Sequence, residues 1–416
     1  MSVKVSYKSN HGIQGSYDVP LDKSIAQRSA ILGLSTNTGV EGEDIVSTKK
    51  AAKQIRSGAD NLCLDMGNSG TGMRLMAGFI AGLGIDAELV GDESLSNRPM
   101  ERIAKPLREM GAEIHLKDGK PPIKIAKSNI ADEFIYDLEI PSAQIKSCLL
   151  LAALSAGTKI KIIEKETTRN HTELLLQHLD ADLAVKKSDG ETEIILDATK
   201  PITVKDVFVP GDFSSAAFLI GAALISKDAD ICIENVGINP TRIGFLEVLK
   251  EMNANIKIEN VREANNEQIG DIHVKHSPLK SVTVAKDIIP NIIDELPLLS
   301  VLACFAEGET KVSGAKELRV KESDRLSAIE LMLKNIGVEF DVFEDGFNII
   351  GKGANYQFSS GNFVSLGDHR IAMCSALCAL KATENIFIDN VQSVTTSFPN
   401  FFEMIISSRA FNQHLK

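Results

Sequence analysis

Five charged side chains crowd one short stretch of this chain, and their types and spacing suit the capture of an anion. Arg319, Lys321, Glu322, Asp324 and Arg325 lie just before an apolar stripe at Leu326, Ile329, Leu333 and Ile336, whose three- and four-residue steps predict a helix. Ser323 reads as the N-cap, because a hydroxyl there can accept from the first unpaired backbone N–H groups. A helix start already carries roughly half a positive charge, so adding cations beside it is unfavourable unless an anion arrives to receive them. One such cluster could equally be a salt-bridged, solvated first turn. Recurrence separates the two readings.

The arrangement does recur. In PLDKSIAQRSAIL, Ser24 reads as a cap, with Lys23 just outside the helix and Arg28 one turn inside it. In MGNSGTGMRLMAGFI, small residues at 67–72 lead into a helix marked by Met73, Met76, Phe79 and Ile80, with Arg74 nearby. Such a glycine-rich entry lets backbone N–H groups approach an anion, although no Gly-Lys-Ser/Thr follows, so it is not a Walker loop. Arg98 precedes a proline in SLSNRPMERI. Ser142, Gln144 and Lys146 stand at the mouth of the apolar helix in IPSAQIKSCLLLAAL, and Arg169 and His171 stand similarly in TTRNHTELL. Asp368, His369 and Arg370 precede the stripe Ile371, Cys374 and Leu377. Taken singly, Asp212 and Ser214 read as a helix start, and His171 and His369 as packing or capping groups. Taken together, Lys23, Arg28, Arg98, Lys321, Arg325 and Arg370 suit a substrate pair carrying two phosphates or carboxylates, Arg offering a bidentate fork and Lys a point charge.

The elements that must position these groups show a repeat. LREMGAEIHL, LQHLDADLAV, LKEMNANIKI and LKNIGVEFDV each read as a helix end, a left-handed stop at Gly, Asp or Asn, and an alternating strand. A second set, LSAGTKIKI, LISKDADICI, FAEGETKVSG and LKATENIFI, lies between them, each an apolar helix, a turn and a β-branched strand. A period of about 70 residues divides the 416-residue chain into six α/β units, each too large for a solenoid rung, and two similar lobes are the natural outcome.

Composition narrows the function. The net charge of −11, the absence of Trp and the four Tyr argue against nucleic acid as a partner. Six cysteines without a CxxC pair read as mostly core residues of a reducing compartment, and no metal-ligand spacing accompanies them. The start MSVKVSYKSN has no apolar leader core, and the longest apolar runs fall short of a membrane span. A cytoplasmic protein away from membranes is expected.

The set DKSIAQR, GNSGTGMR, SNRPM, SAQIKS, NIIDELP, RVKESDR and GDHRIAM, in this order from about residue 20 to residue 399, resembles the EPSP synthases (3-phosphoshikimate 1-carboxyvinyltransferases) of the enolpyruvyl transferase family. The resemblance implies an α/β fold of two similar lobes, each of three βαβαββ units in an inside-out, barrel-like arrangement, with the active site in the interdomain cleft. Residues 21–209 would form the N-terminal lobe, and 1–20 plus 210–416 the C-terminal lobe. It implies transfer of the carboxyvinyl group of phosphoenolpyruvate to the 5-hydroxyl of shikimate 3-phosphate, a step of aromatic amino-acid biosynthesis, by a stand-alone monomer with neither cofactor nor metal. Lys23, Gly70, Arg98, Gln144, Arg325 and Arg370 match phosphoenolpyruvate ligands. Lys23, Ser24, Arg28, Ser142, Ala143, Gln144, Asp294 and Lys321 match shikimate-3-phosphate ligands, with Arg169 joining them. Asp294 matches the base for the 5-hydroxyl, Glu322 is the candidate for proton traffic at the methylene carbon, and Lys23 reaches both substrates.

Three positions depart from the pattern of many members or bear on inhibition. Thr396 in TTSFP stands where many members have a Lys, Glu317 stands where many have an Asn, and Gly70 occupies the spot where tolerant members place an alanine that crowds glyphosate. A sister transferase acting on UDP-N-acetylglucosamine typically carries a reactive Cys after its first hundred or so residues. No Cys lies between Cys63 and Cys148 here. A catalytically inactive binding protein of the same fold is the alternative from another class, and turnover distinguishes it.

Overall fold

A computed structural model describes residues 3–7, 13–58, 62–188, 190–407 and 411–415. The chain divides into two compact units. A terminal unit comprises Met1–Leu21, Pro210–Arg262 and Gln268–Lys416, and a central unit comprises Asp22–Val209 and Glu263–Glu267.

One layout repeats through both units. In the central unit, strand Leu62–Asp65, helix Gly70–Leu83, strand Ala87–Val90, helix Glu101–Glu109 and strands Glu113–Lys117 and Lys120–Ala126 follow in order. The first two strands pair in parallel, since a crossover helix separates them, and the hairpin that follows adds antiparallel pairs. The sheet order is therefore first, second, fourth, third. Strands Glu133–Asp137, Lys159–Glu164, Glu191–Asp197 and Asp182–Ser188 repeat it. In the terminal unit, apart from Glu263, Ala264 and Glu267 at the strand ends, Gln14–Tyr17, Asp230–Gly237, Glu267–Lys275 and Asn255–Ala264 repeat it again. Gly361–Phe363, Ile386–Ile388, Val3–Tyr7 and Phe411–Leu415 do so with strands from opposite ends of the sequence. The fifth sheet orders Glu307–Val312, Phe347–Lys352 and Glu339–Val342, and the parallel bridges Lys280↔Glu307 and Thr283↔Lys311 mark its first-strand place. In the sixth place, helices Lys23–Leu32 and Glu43–Arg56 are accompanied by the parallel bridge Thr36↔Val207. The sheets are open and do not close into a barrel.

Helices form the interior. Every residue of Phe213–Ile225, Leu296–Cys304 and His369–Cys378 is buried. The first two are almost wholly apolar, as expected of buried helices, and the third buries Arg370 on hydrogen-bond partners. In the central unit, Gly70–Leu83 and Ala143–Ala156 are in backbone contact: a Cβ at Gly78 would stand 2.1 Å from the Cys148 carbonyl oxygen, and one at Gly82 2.1 Å from that of Ala152. Only glycine admits this approach. The repeated helix stops are at Gly111, Asp180, Asn253 and Gly337, with φ of 107°, 58°, 65° and 75°.

Two caps differ from the sequence reading. The Lys23–Leu32 helix is capped by Asp22, whose carboxylate accepts from the Ile25 N–H at 2.9 Å, so Lys23 and Ser24 are its first residues. The Arg325–Ile336 helix is capped by Asp324, accepting from the Ser327 N–H at 3.1 Å, while the Ser323 hydroxyl donates to Asp368. In both places a carboxylate adds its charge to the macrodipole interaction, which a hydroxyl cannot do. Cys148, Cys304, Cys374 and Cys378 are buried, Cys63 is exposed and Cys232 lies between. Among the described residues, no helix is long and apolar enough to cross a membrane.

Candidate active site

In the central unit, four helix starts are laced together by polar side chains. Gln27, on the Lys23–Leu32 helix, donates to the Asp44 carbonyl, to Thr48 and to Ser69, the cap of the Gly70–Leu83 helix. Arg74 donates to Gln144 at 2.7 Å, and Gln144 donates to Thr71 at 2.8 Å, which joins the Gly70–Leu83 start to the Ala143–Ala156 start. Arg28 donates to Ser147 on that helix and to Thr172 on the His171–His178 helix, at 2.8 and 2.7 Å. The positive ends of these helices therefore meet in one region with the cations the sequence singled out.

Within that region the residues differ in burial. Lys23 is partly exposed and paired with Asp44 at 2.9 Å. Ser24, Ser142, Ala143, Gln144 and Arg169 are half-buried. Arg28 is buried, and burial lowers its guanidinium pKa to about 10, with Glu173, Asp22 and Glu267 opposing and Arg169 adding to the fall. Arg98 is buried and donates to Asn68 at 2.6 Å. A Cβ at Gly70 would stand 2.7 Å from Arg98 Nη1 and 3.2 Å from Arg74 Nη1, so the glycine lets two guanidiniums close on one helix start. Lys146, expected at the mouth of its helix, is instead fully buried between Glu164 and Glu173, at 2.8 and 2.7 Å. With its charge spent on two carboxylates, it holds the fold. His171 is buried with its Nδ1 at 2.7 Å from Glu267, the packing role its sequence context suggested.

The terminal unit holds a second cluster, centred on Arg325. This side chain is buried, donating to Asp368 at 2.8 Å and to Glu322 at 2.5 Å, with Asp294 at 3.5 Å. Burial alone would lower its pKa, but Asp368, Glu322 and Asp294 raise it above the ordinary value. Burial would likewise raise the Asp368 carboxyl, yet Arg325 holds it below the usual range. Around these buried partners, Asp294, Glu322 and Lys321 keep 18%, 17% and 24% of their side-chain surface exposed. Lys321 lies 3.9 Å from Asp294, and burial lowers its ammonium pKa against the pull of that carboxylate. Arg370 is buried and donates to the Asp294 carbonyl at 2.9 Å and to Ser214 at 3.0 Å. Arg319 belongs elsewhere: it pairs with Asp324 and donates to the carbonyls of Phe343 and Glu344.

A family profile described as EPSP synthase (3-phosphoshikimate 1-carboxyvinyltransferase) matches residues 23–405. The 3-phosphoshikimate 1-carboxyvinyltransferase of Hydrogenovibrio crunogenus is 41% identical, over 97% of this chain and 97% of its own. The chain belongs to the EPSP synthase family. The enzyme of the same name from Petrotoga mobilis is 40% identical, over 98% of this chain and 100% of its own. The EPSP synthase structure from Acinetobacter baumannii superposes with a TM-score of 0.85 at 38% identity, over 100% of both chains. The enolpyruvyl transferase NikO from Streptomyces tendae, 14% identical, shares the fold with a TM-score of 0.74 over 99% of each chain.

Against the EPSP synthase pattern, Thr396 lies in a short 3-10 turn, Gln392–Thr396, and its hydroxyl donates to the Ser393 carbonyl. Glu317 is exposed. Sequence reasoning missed Gln27, Ser147 and Thr172 in the central unit and Arg242 and Glu295 in the terminal one. It also left Ser214 as part of a helix start. The available signal was slight: Glu295 follows Asp294 directly and heads the apolar run LPLLSVLAC, where an acid is out of place unless it is paired.

Proposed function

We propose that this chain transfers the carboxyvinyl group of phosphoenolpyruvate to the 5-hydroxyl of shikimate 3-phosphate, forming 5-enolpyruvylshikimate 3-phosphate and phosphate. The hydroxyl oxygen adds to C2 of phosphoenolpyruvate while C3 gains a proton. Loss of a C3 proton and cleavage of the C2–O bond to phosphate then restore the double bond. Such chemistry needs a base, an acid and fixed cations at the phosphate and at the developing charge.

The observation that carries this reading is the gathering of Asp294 and Glu322 on the buried Arg325, with Lys321 3.9 Å from Asp294 and all three side chains partly exposed. Asp294 is assigned the 5-hydroxyl proton, with Lys321 beside that hydroxyl, and Glu322 the proton at C3. The lowered pKa of Lys321 favours a group that can give up its proton. Arg325 and Arg370 are assigned to phosphoenolpyruvate, as are Lys23, Gly70, Arg98 and Gln144. Lys23, Ser24, Arg28, Ser142, Ala143, Gln144 and Arg169 are assigned to shikimate 3-phosphate together with Asp294 and Lys321. The same reading has the chain act in the cytoplasm as a monomer on small molecules alone, without a cofactor.

Phosphate release from phosphoenolpyruvate, measured with and without shikimate 3-phosphate in EDTA, tests it. Release that depends on the acceptor and survives chelation is expected. No release with this acceptor would reject the reading.

A further inference from the structure

Arg370 is anchored by a closed network that reaches away from the reacting groups. Asp294 and Glu295 are consecutive in the turn before the Leu296–Cys304 helix, yet their side chains diverge. Asp294 faces Lys321 and Arg325, whereas Glu295, fully buried, faces Arg242 at 3.3 Å and Arg370 at 3.6 Å. Ser214 joins the three. Its hydroxyl donates to Glu295 at 2.5 Å and accepts from Arg370 at 3.0 Å and from Arg242. One proton and two lone pairs are thereby all used. Arg242 is buried as well, with its guanidinium carbon 5.8 Å from the Phe213 ring centre and Asp212 at 3.9 Å.

Two guanidiniums buried this close repel each other, and Glu295 is the carboxylate they share. Arg370 is held at Nη2 by Ser214 and at Nη1 by the Asp294 carbonyl, which fixes the plane of its fork. A fork of fixed plane can meet a carboxylate or phosphate through two parallel bonds. A fork free to turn pays for that orientation on each binding event.

We infer that Arg242 and Glu295 are positioning residues for phosphoenolpyruvate: with Ser214 they set the orientation in which Arg370 receives that substrate's anionic group. The inference rests on the proposed assignment of Arg370 to phosphoenolpyruvate. Neither residue touches substrate, so their loss weakens capture of one substrate and leaves the other alone.

Steady-state kinetics of the full chain, varying each substrate in turn, tests this. Glu295→Gln is expected to raise the KM for phosphoenolpyruvate about tenfold or more while the KM for shikimate 3-phosphate stays within about twofold. Glu295→Asp, which keeps the charge, is expected to fall between Glu295→Gln and the parent chain. The double variant Arg242→Met/Glu295→Gln removes the pair together, so the Arg242 guanidinium is not left buried without its carboxylate. It carries the test if Glu295→Gln fails to fold, and it is expected to regain melting temperature while keeping the raised KM. A double variant that regains both would overturn the inference, and so would KM values for the two substrates that rise together as the melting temperature falls. Arg370→Ala is measured alongside. An unchanged KM for phosphoenolpyruvate there would remove the assignment and the inference together. A raised KM there with a normal KM in Glu295→Gln would overturn the inference alone.

Discussion

Arg98 owes its assigned role to where its guanidinium is held: buried, against Asn68, over the glycine that opens a helix. Arg98→Ala is expected to raise the KM for phosphoenolpyruvate by about tenfold or more, as loss of a charge-assisted contact of about 1.5–3 kcal/mol would. An unchanged KM would take the residue out of the site. Asp294→Ala is expected to cut kcat by about 10²–10⁴-fold with the circular dichroism spectrum intact, and near-normal turnover would reject its role as base. Lys321 supplies a pH test whose sign follows from burial. Its ammonium is destabilised, so it loses its proton below the ordinary lysine pKa, and the alkaline limb of kcat/KM should lie correspondingly low. Lys321→Arg, whose charge does not titrate in this range, should move that limb to higher pH. A limb that stays in place belongs to another group.

Among the elements, the helix pair of the central unit decides how the helix starts are presented. Gly78 and Gly82 bring Gly70–Leu83 onto the backbone of Ala143–Ala156, which keeps Arg74 in reach of Gln144. Gly78→Ala gains helix propensity, worth about 1 kcal/mol on an isolated helix. Against that stands a methyl group 2.1 Å from a carbonyl oxygen, which forces the helices apart, and overpacking of this kind costs about 1–3 kcal/mol or more. A lowered urea midpoint and a raised KM are expected together. A variant as stable and active as the parent would show that the helix pair yields at no cost.

For the molecule as a whole, the cations assigned to substrate are local features of an acidic chain of net charge −11. Anionic substrates relieve the crowding of positive groups at the helix starts, so they should stabilise the folded state. Shikimate 3-phosphate at about one hundred times its Kd is expected to add about 2.7 kcal/mol of unfolding free energy, read by calorimetry. Arg28→Ala should lose most of that gain at the same concentration. A full gain in that variant would exclude Arg28 as a ligand.

Much of this was legible in the residues themselves. Helix stops at Asp180, Asn253 and Gly337 were readable because a left-handed residue has a narrow chemistry. Apolar helices such as Phe213–Ile225 were readable because no face of them suits water. The cations at helix starts, and the family resemblance they share, were equally plain in the sequence. Long-range pairing was not. Lys146 looked like Lys23 in sequence, yet Glu164 and Glu173 consume its charge in the core while Lys23 stays partly exposed. Arg319 and Arg325 stand six residues apart in one motif, but one secures a turn and the other anchors three carboxylates. Whether a charged side chain meets a partner or a substrate depends on residues far along the chain, and only the folded arrangement settles which partners arrive.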